Sequence, residues 1–311
     1  MKQVCISEFM DADAVAVLDA CVRLRYEPAW VDQRDALLVA LAQTDALIVR
    51  NRTRVDAELL DAAPALQVVG RLGVGLDNID VKSCEARGIR VIPATGANAR
   101  SVAEYVVTTA LMLLRGAYQS GAAMVAGKWP RARLSEGHET LGKTLGLIGF
   151  GDIGRLTARL AQALGMQVVA HDPALPADHP VWHETGVAPM SLEALLASAD
   201  AVSLHVPLVP ATRHLINAER LRSMKRGAVL INTARGGVVD ETALAAALHQ
   251  GSLAGAALDV FEAEPLGAGG ILADAPNLVL TPHIAGVSFE ANVRVSMMIA
   301  DAVKNALGVQ G

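Results

Sequence analysis

The feature that most constrains this fold is an alternation of short apolar runs with helical stretches, which begins at the first residues. The first runs cover residues 4–6, 46–49, 67–70 and 90–92. Helical patterns lie between them, over residues 13–24, 56–63 and 81–87. This rhythm is typical of parallel strands joined by crossover helices. It predicts a first α/β unit that ends near residue 98.

A second series of apolar runs follows, at residues 144–148, 167–170, 201–204, 228–231, 256–260 and 278–280. Six strands with helices between them suit a doubly wound sheet. The last amphipathic stretch, residues 288–307, has no strand of its own, so we expect it to return to the first domain. The predicted domains are residues 1–98 with 286–311, and residues 99–285.

Composition excludes several classes of partner. The chain has 311 residues, 52% of them hydrophobic, which is enough for two large cores. The net charge is −5 and the basic residues are scattered, which argues against nucleic acid as a partner. The longest apolar stretch, residues 102–114, is too short to span a membrane, and no signal peptide is recognisable. We therefore expect a cytoplasmic protein without membrane contact.

Cysteine usage gives no sign of a metal site or a disulfide framework. The three cysteines, Cys5, Cys21 and Cys84, are an odd number and lack C-x-x-C spacing. They are interpreted as small buried apolar residues.

A glycine motif follows the apolar run at residues 144–148 and precedes a helical pattern. Gly149 suits a tight turn, Gly151 the close approach of a pyrophosphate, and Gly154 the close packing of helix on strand. Amides at the start of that helix would face the phosphates. The next strand ends at Asp172, whose carboxylate can accept hydrogen bonds from both ribose hydroxyls and would repel a 2′-phosphate. NAD is therefore expected rather than NADP, and an ordinary strand-to-helix turn is the alternative.

Three later strands lead to residues that can act on a 2-oxo acid. Arg235 follows one strand, Glu264 lies in the loop after the next, and His283 follows the third. Because polar groups at the carboxyl ends of such strands face the ligand crevice, the three are expected to converge. Arg235 would pair with the substrate carboxylate or carbonyl oxygen, and His283 would donate a proton to that oxygen during reduction. Glu264 would hold the imidazole in one tautomer.

Each of these residues also has a simpler explanation. Arg235 could cap a helix, Glu264 could be a surface acid, and His283 could be a satisfied buried histidine. His205 also ends a strand and competes for the proton-transfer role, but we assign it to the lining of the cofactor site. The other histidines lie in loops or at helix ends without neighbours of this kind: His138, His179, His183, His214 and His249.

Together these segments resemble the D-isomer-specific 2-hydroxyacid dehydrogenase family, most closely its phosphoglycerate dehydrogenase and hydroxypyruvate reductase branches. The resemblance covers nearly the whole chain and rests on residues 149–154, 232–237, 258–265 and 281–283. It implies a Rossmann NAD-binding domain inserted into a flavodoxin-like substrate domain. It also implies that Arg235, Glu264 and His283 are the catalytic residues, in agreement with the interpretation from the strand ends.

The resemblance implies further contacts. Amides at Val74 and Gly75 would bind the substrate carboxylate as an anion nest, for which a plain glycine turn is the alternative. A homodimer is implied, with an arm that carries Trp129 and Arg131. The residues implied to line the NAD site are Gly149, Gly151, Asp152, Ile153, Gly154, Asp172, His205, Val206, Pro207, Thr233, Ala234, Asp259, His283, Ala285 and Gly286.

Arg50 and Arg52 bear on the identity of the substrate. They follow a strand in the first domain, and alternation in an extended segment would place both on one face. The segment resembles the phosphate-binding stretch of bacterial phosphoglycerate dehydrogenases, and guanidinium groups suit phosphate or sulfonate equally well. The expected substrates are therefore 3-phosphoglycerate and (S)-sulfolactate, whose S isomer has the spatial arrangement of a D-hydroxy acid. The alternative is hydroxypyruvate or glyoxylate reduction, with both arginines at a solvated strand end.

Two other interpretations stay open. An NAD-sensing corepressor is a binding protein on this fold, and such proteins can retain the three catalytic residues. The second is a formate dehydrogenase. The sequences that resemble this enzyme have glutamine at the position of Glu264, so the acid here argues against that function.

Overall fold

A computed structural model describes residues 1–118 and 120–309 of the chain. The chain forms two compact units, the first from Met1–Asn98 with Val287–Gly311 and the second from Ala99–Gly286. Each unit is built around a parallel sheet.

The first unit has a five-stranded parallel sheet in the order β2-β1-β3-β4-β5, which is the flavodoxin-like order. Its strands are β1 (Gln3–Ile6), β2 (Arg23–Tyr26), β3 (Ala46–Val49), β4 (Val68–Arg71) and β5 (Arg90–Pro93). Its helices are α1 (Ala12–Asp19), α2 (Arg34–Ala40), α3 (Ala57–Asp61), α4 (Val81–Ala86) and the last helix of the chain, α13 (Phe289–Leu307). Two 3-10 turns cover Pro28–Asp32 and Leu41–Gln43.

The last helix packs where the sequence analysis expects it. The side chain of Ser288 accepts a hydrogen bond from the amide of Ala291 and begins α13, and Gly308 in the left-handed conformation ends it. The helix packs on α1, β4 and β5, all within the first unit. Its buried side chains, Val295, Ile299 and Val303, join the core on one face of that sheet. The helix therefore lies within the first unit.

One element prediction in this unit is wrong. The helix predicted over residues 13–24 ends at Asp19, and Arg23–Tyr26 form the edge strand β2. Three of the four residues of β2 are exposed, so the strand shows none of the apolar run that marks a buried strand. Pairing with β1, a tertiary interaction, decides its conformation.

The second unit has a seven-stranded parallel sheet in the order β12-β11-β10-β9-β6-β7-β8. Its strands are β6 (Thr144–Ile148), β7 (Gln167–His171), β8 (Ala188–Pro189), β9 (Ala201–Leu204), β10 (Val229–Asn232), β11 (Gly255–Leu258) and β12 (Leu278–Leu280). Its helices are α5 (Ala99–Arg115), α6 (Gly121–Val125), α7 (Arg131–Leu134), α8 (Asp152–Ala163), α9 (Pro180–Thr185), α10 (Leu192–Ser198), α11 (Ala218–Ser223) and α12 (Glu241–His249).

The order of these strands locates a ligand crevice. The chain places β7 and β8 on one side of β6 and β9 to β12 on the other, so the strand order reverses between β6 and β9. In open α/β sheets, ligands bind beyond the carboxyl ends of the strands at such a reversal. The predicted fold class, two doubly wound parallel sheets, is confirmed. The two-residue strand β8, which contains Pro189, was not predicted, because so short an edge strand has no periodic signal.

Two cysteines behave as the sequence analysis expects, since Cys5 and Cys84 are buried, whereas Cys21 is partly exposed. Across the described residues, no helix is both long enough and apolar enough to cross a membrane.

Candidate active site

The glycine turn after β6 has the geometry of a dinucleotide loop. Gly149 has a φ of +95°, and a side chain there would strike the carbonyl of His205. A side chain at Gly154 would meet the carbonyl of Gly149, so this glycine lets α8 approach the strand. At Gly151, in contrast, an added Cβ would meet nothing within 4 Å. The turn is thus closed on its protein side and open at Gly151, at the start of α8, where a pyrophosphate needs close access.

Asp172 lies beside this turn. One of its oxygens accepts a hydrogen bond from the amide of Phe150 at 2.8 Å, and the other accepts one from the amide of Ala174 at 3.0 Å. The carboxylate is thereby oriented at the end of β7 next to the glycine turn. From this position a carboxylate can accept hydrogen bonds from the ribose hydroxyls, so the residues present fit NAD.

A second observation also fits a ligand at this edge. The hydroxyl of Thr233 is buried and has no hydrogen-bond partner among the described residues. Buried polar atoms normally find a partner, so an orphan at a predicted cofactor-binding position suggests that a ligand supplies one. Thr233 directly follows β10 at the carboxyl edge of the sheet.

His205 is unsuited to proton transfer. Its amide donates to the carbonyl of Ile148, and its Nε2 lies 3.1 Å from the hydroxyl of Ser203. Burial lowers the pKa of His205 from 6.5 to about 4. The imidazole is therefore neutral near pH 7 and cannot act as the acid for reduction.

The loop that carries Arg235 is held close to the loop that carries Glu264. The side chain of Asn232 accepts from the amide of Ala234 and donates to the carbonyl of Arg235, which shapes the turn after β10. A side chain at Gly236 would collide with the backbone of Phe261. Only glycine allows the two loops to approach so closely.

Glu264 and His283 form the central pair of the site. The Oε2 atom of Glu264 lies 2.8 Å from Nδ1 of His283, and its Oε1 accepts a hydrogen bond from the amide of Phe261 at 3.0 Å. The carboxylate is thus anchored in its own loop and oriented toward the imidazole. With Nδ1 donating to Glu264, Nε2 is the nitrogen that can exchange a proton with a substrate.

Asp259 has a function in the structure that the sequence analysis missed. Its side chain is 1% exposed. It accepts hydrogen bonds from the hydroxyl of Thr281 and from the amides of Ile284 and Ala285, and its own carbonyl accepts from the amide of His283. Asp259 therefore holds the segment on either side of His283. Its place at the end of a buried strand was the available signal.

His214 corrects the sequence analysis on a smaller point, because it does have an acidic neighbour. Its Nε2 lies 3.1 Å from a carboxylate oxygen of Glu262, and its amide donates to the carbonyl of Gly237. His214 thereby links the segment after Arg235 to the segment before Glu264.

The predicted anion nest lies in the first unit. The amide of Gly73 donates to the carbonyl of Arg71, and its carbonyl accepts from Ala94, which shapes the turn after β4. Within residues 1–118 and 120–309, nothing accepts a hydrogen bond from the amides of Val74 and Gly75. Two successive amides of this kind are suited to a carboxylate.

Arg50 and Arg52 do not lie on an extended segment, so the prediction that alternation places them on one face is wrong. The chain after β3 does not continue as an extended segment, because four successive amides, those of residues 50–53, turn toward the carboxylate of Glu8. Glu8 is 5% exposed and was not identified from the sequence. Alternation along a strand therefore cannot be the reason for placing both arginines on one face.

The two arginines have different surroundings. The guanidinium of Arg50 is partly buried, donates to the side-chain oxygen of Asn292 at 2.9 Å, and lies 5.9 Å from the ring centroid of Phe9. Burial lowers the pKa of Arg50, while the charge of Glu8 raises it. Arg52 is exposed and pairs with Asp32. Arg50 is thus the less hydrated cation of the two.

Among the residues that the structure describes, no group of three or more His, Cys, Asp or Glu side chains is arranged to hold a metal ion.

The comparison with known families identifies the second unit. Residues 107–285 match the model of the NAD-binding domain of D-isomer specific 2-hydroxyacid dehydrogenases, more than half of the chain. The chain belongs to the D-isomer specific 2-hydroxyacid dehydrogenase family. The expected NAD-dependent oxidoreductase, which acts at C2 of a small D-configured 2-hydroxy acid, is thereby confirmed.

Individual members of the family match most or all of the chain. It is 57% identical over 310 residues to an (S)-sulfolactate dehydrogenase from Chromohalobacter salexigens, with 100% of each chain covered. It is 41% identical to a hydroxypyruvate reductase from Thermotoga maritima, over 89% of each chain. Among solved structures, a glyoxylate reductase from Paecilomyes thermophila is 31% identical, with a TM-score of 0.84 over 98% of this chain and 95% of the other.

Proposed function

We propose that this 2-hydroxyacid dehydrogenase interconverts (S)-sulfolactate and sulfopyruvate with NAD. The observation that carries the proposal is the 57% identity over full length to an (S)-sulfolactate dehydrogenase. The partly buried guanidinium of Arg50 supports it, since a sulfonate at C3 of the substrate needs a cationic partner. 3-Phosphoglycerate, which also has an anion at C3, is the related candidate.

Each catalytic residue has a defined task in this proposal. The amides of Val74 and Gly75 bind the substrate carboxylate, and Arg235 binds and polarises the carbonyl oxygen at C2. Bound NADH supplies the hydride that adds to C2. As charge develops on the carbonyl oxygen, His283 transfers the proton on Nε2 to it, while Glu264 stabilises the imidazole through Nδ1. In the oxidative direction the neutral imidazole takes the proton from the hydroxyl.

The cofactor residues keep the assignments made from the sequence, as part of the proposal. The amides at the start of α8, among them those of Asp152 and Ile153, bind the pyrophosphate, and Asp172 binds the ribose hydroxyls. The remaining lining is proposed to come from His205, Val206, Pro207, Thr233, Ala234, Asp259, Ala285 and Gly286.

The roles of the two arginines follow from their surroundings. Arg50 binds the C3 anion in this proposal, because its charge is partly shielded from water and no carboxylate of the described residues accepts a hydrogen bond from its side chain. Arg52 can bind the C3 anion only if it gives up its ion pair with Asp32.

The first experiment measures NADH oxidation with sulfopyruvate, phosphohydroxypyruvate, hydroxypyruvate and glyoxylate, with NADPH in parallel. We expect the highest kcat/KM with sulfopyruvate and NADH. Arg50→Gln should lower that value roughly ten- to a hundredfold, the size of one lost hydrogen bond between charged groups, and should spare glyoxylate. Arg54→Gln, an exposed arginine of the same loop, is the matched control. Equal losses for sulfopyruvate and glyoxylate would disprove the assignment of Arg50.

Hydroxypyruvate or glyoxylate reduction is the second candidate. The observations in its favour are the 41% identical hydroxypyruvate reductase and the structurally similar glyoxylate reductase. It becomes the function if either small acid gives the highest kcat/KM in the same panel. An absence of turnover with all four acids would favour the NAD-sensing corepressor.

We also propose a homodimer formed through the segment that carries Trp129 and Arg131. Three apolar side chains of the second unit support it because they are largely exposed: Val125 (92%), Trp129 (73%) and Leu141 (73%). Sedimentation should give a dimer for the native chain and a monomer for Trp129→Ser. A cytoplasmic location stays a prediction.

A further inference from the structure

The segment around His283 has a backbone conformation that needs support from outside. His283 has a φ of +55°, in the left-handed region that residues other than glycine seldom adopt. Its side chain is 42% exposed, so packing around the imidazole does not fix its position. Such conformations persist only where the surroundings impose them. The precision of proton transfer therefore depends on the residues that hold this segment.

Asp259 supplies most of that support. Its Oδ1 accepts from the Thr281 hydroxyl at 2.6 Å and from the amide of Ile284 at 2.8 Å, and its Oδ2 accepts from the amide of Ala285 at 2.8 Å. These bonds fix the residues on both sides of His283. The Thr281 hydroxyl can rotate, however, so its bond to Asp259 holds only while the hydroxyl stays oriented.

Tyr105 provides that orientation. Its hydroxyl oxygen lies 2.7 Å from Oγ1 of Thr281. The Thr281 hydroxyl has one hydrogen, which it donates to Asp259, so the hydrogen between Tyr105 and Thr281 must come from the tyrosine. Burial is the largest influence on the pKa of Tyr105 and raises it, and the charge of Asp259 acts in the same direction. The tyrosine therefore remains a donor at neutral pH.

The helix that carries Tyr105 is separate from the His283 segment and is firmly packed in the core. Tyr105 is 176 residues away from Thr281 in the sequence and lies on α5. The helix buries Val102, Val106 and Ala110 and packs against α8, β10 and β11 of the same unit. A hydrogen bond from this helix therefore ties the His283 segment to the core of the second unit.

We infer that Tyr105 is a positioning residue for proton transfer by His283, acting through Thr281 and Asp259. The inference rests on the proposed function, because it takes His283 as the proton donor. Phenylalanine at position 105 would keep the ring and its packing but would leave Oγ1 of Thr281 without its donor. The Thr281 hydroxyl would then be free to turn away from Asp259, and His283 would sample positions from which proton transfer is slower.

The first test is Tyr105→Phe in the full-length enzyme with its best 2-oxo acid. We expect kcat to fall roughly three- to tenfold, the size of one lost hydrogen bond. The affinity for NADH, measured by fluorescence titration, should be unchanged. The solvent deuterium isotope effect on kcat should rise, because proton transfer limits turnover more strongly. Tyr118→Phe, which removes the hydroxyl of an exposed tyrosine, is the matched control and should alter none of these values.

A double-mutant cycle tests the route through Thr281. Thr281→Val should lower kcat at least as much as Tyr105→Phe, and adding Tyr105→Phe to it should cause no further loss. Thermal melting shows that each variant is folded. An unchanged kcat, a loss without a larger isotope effect, or a full additional loss in the double variant would overturn the inference.

These outcomes can be told apart from failure of the proposed function. His283→Ala reports on that function, since turnover that survives this change would remove the catalytic role of His283 itself. An inactive His283→Ala together with a normal Tyr105→Phe would overturn only the inference about Tyr105.

Discussion

Replacing Glu8 with glutamine should loosen the loop that carries Arg50. The carboxylate of Glu8 accepts four amides: Oε1 accepts those of Arg50 and Thr53 at 2.8 and 2.9 Å, and Oε2 accepts those of Asn51 and Arg52 at 3.3 and 3.1 Å. Glutamine keeps one acceptor oxygen and places an NH₂ group where the other was. That group would face two amide hydrogens, so two of the four hydrogen bonds are lost.

The geometry indicates which bonds are lost and what they contribute. The longer pair, to Asn51 and Arg52, should give way, since the oxygen of glutamine would keep the shorter pair. Hydrogen bonds to charged groups contribute about 1.5–3 kcal/mol each, and these long ones belong at the lower end. The free energy of unfolding should therefore fall by about 3 kcal/mol, which corresponds to a roughly hundredfold larger equilibrium constant for opening of the loop.

Two measurements check this prediction. Urea unfolding gives the change in stability, and hydrogen exchange of the peptide that contains residues 50–53 reports on the loop itself. The matched control is Glu27→Gln, since Glu27 is exposed and accepts a single amide, that of Ala29, at 3.2 Å. A stability loss below about 0.5 kcal/mol with unaltered exchange would refute the reasoning. If Arg50 binds the C3 anion, KM should also rise more for sulfopyruvate than for glyoxylate.

Three further predictions concern the second unit. Asp172→Ala should raise the ratio of kcat/KM for NADPH over NADH about tenfold, because it removes the repulsion of a 2′-phosphate; an unaltered ratio would show that Asp172 does not contact the ribose. Burial lowers the pKa of His205 to about 4 in the native protein. Between pH 6.5 and 4 the unfolded chain therefore binds a proton at His205 that the native protein does not bind, so the native protein should lose stability as pH falls through this range. His205→Gln should reduce that loss, which is at most about 3 kcal/mol, and identical unfolding curves of both proteins across this range would contradict the prediction. Gly236→Ala should lower kcat at least about tenfold, since the new Cβ would displace the backbone of Phe261, whereas Gly267→Ala, which meets nothing within 4 Å, should not; equal activities of the two would argue against the close approach.

The parts of the site that the sequence predicted share one property, which is that each lies next to a strand end. Gly149, Asp172 and Arg235 follow largely buried strands with apolar runs. His283 follows the apolar edge strand β12, whose side chains are only partly buried. In a parallel sheet all strands have their carboxyl ends at one edge, so their order along the chain is enough to bring these residues to one region. The contact between Glu264 and His283 is the clearest result of that rule.

The parts that could not be predicted depend on contacts between segments far apart in the chain. Glu8 meets residues 50–53, about forty positions later, and Tyr105 meets Thr281 across 176 positions. Neither side chain stands out in its own segment, since Glu8 follows an ordinary strand and Tyr105 lies in an ordinary amphipathic helix. The edge strand β2 was missed for the same reason, because only pairing with β1 makes it a strand.

By itself the sequence determined the class of fold and the cofactor, and it predicted three catalytic side chains, because local periodicity and the residues after each strand indicate them. The tertiary structure alone decided how those side chains are held. It showed that Asp259 and Tyr105 support the segment of His283, and that Glu8 turns the Arg50 loop away from an extended path. The physical reason is that a hydrogen bond depends on the distance and direction between two groups, and neither is defined until distant parts of the chain are packed together.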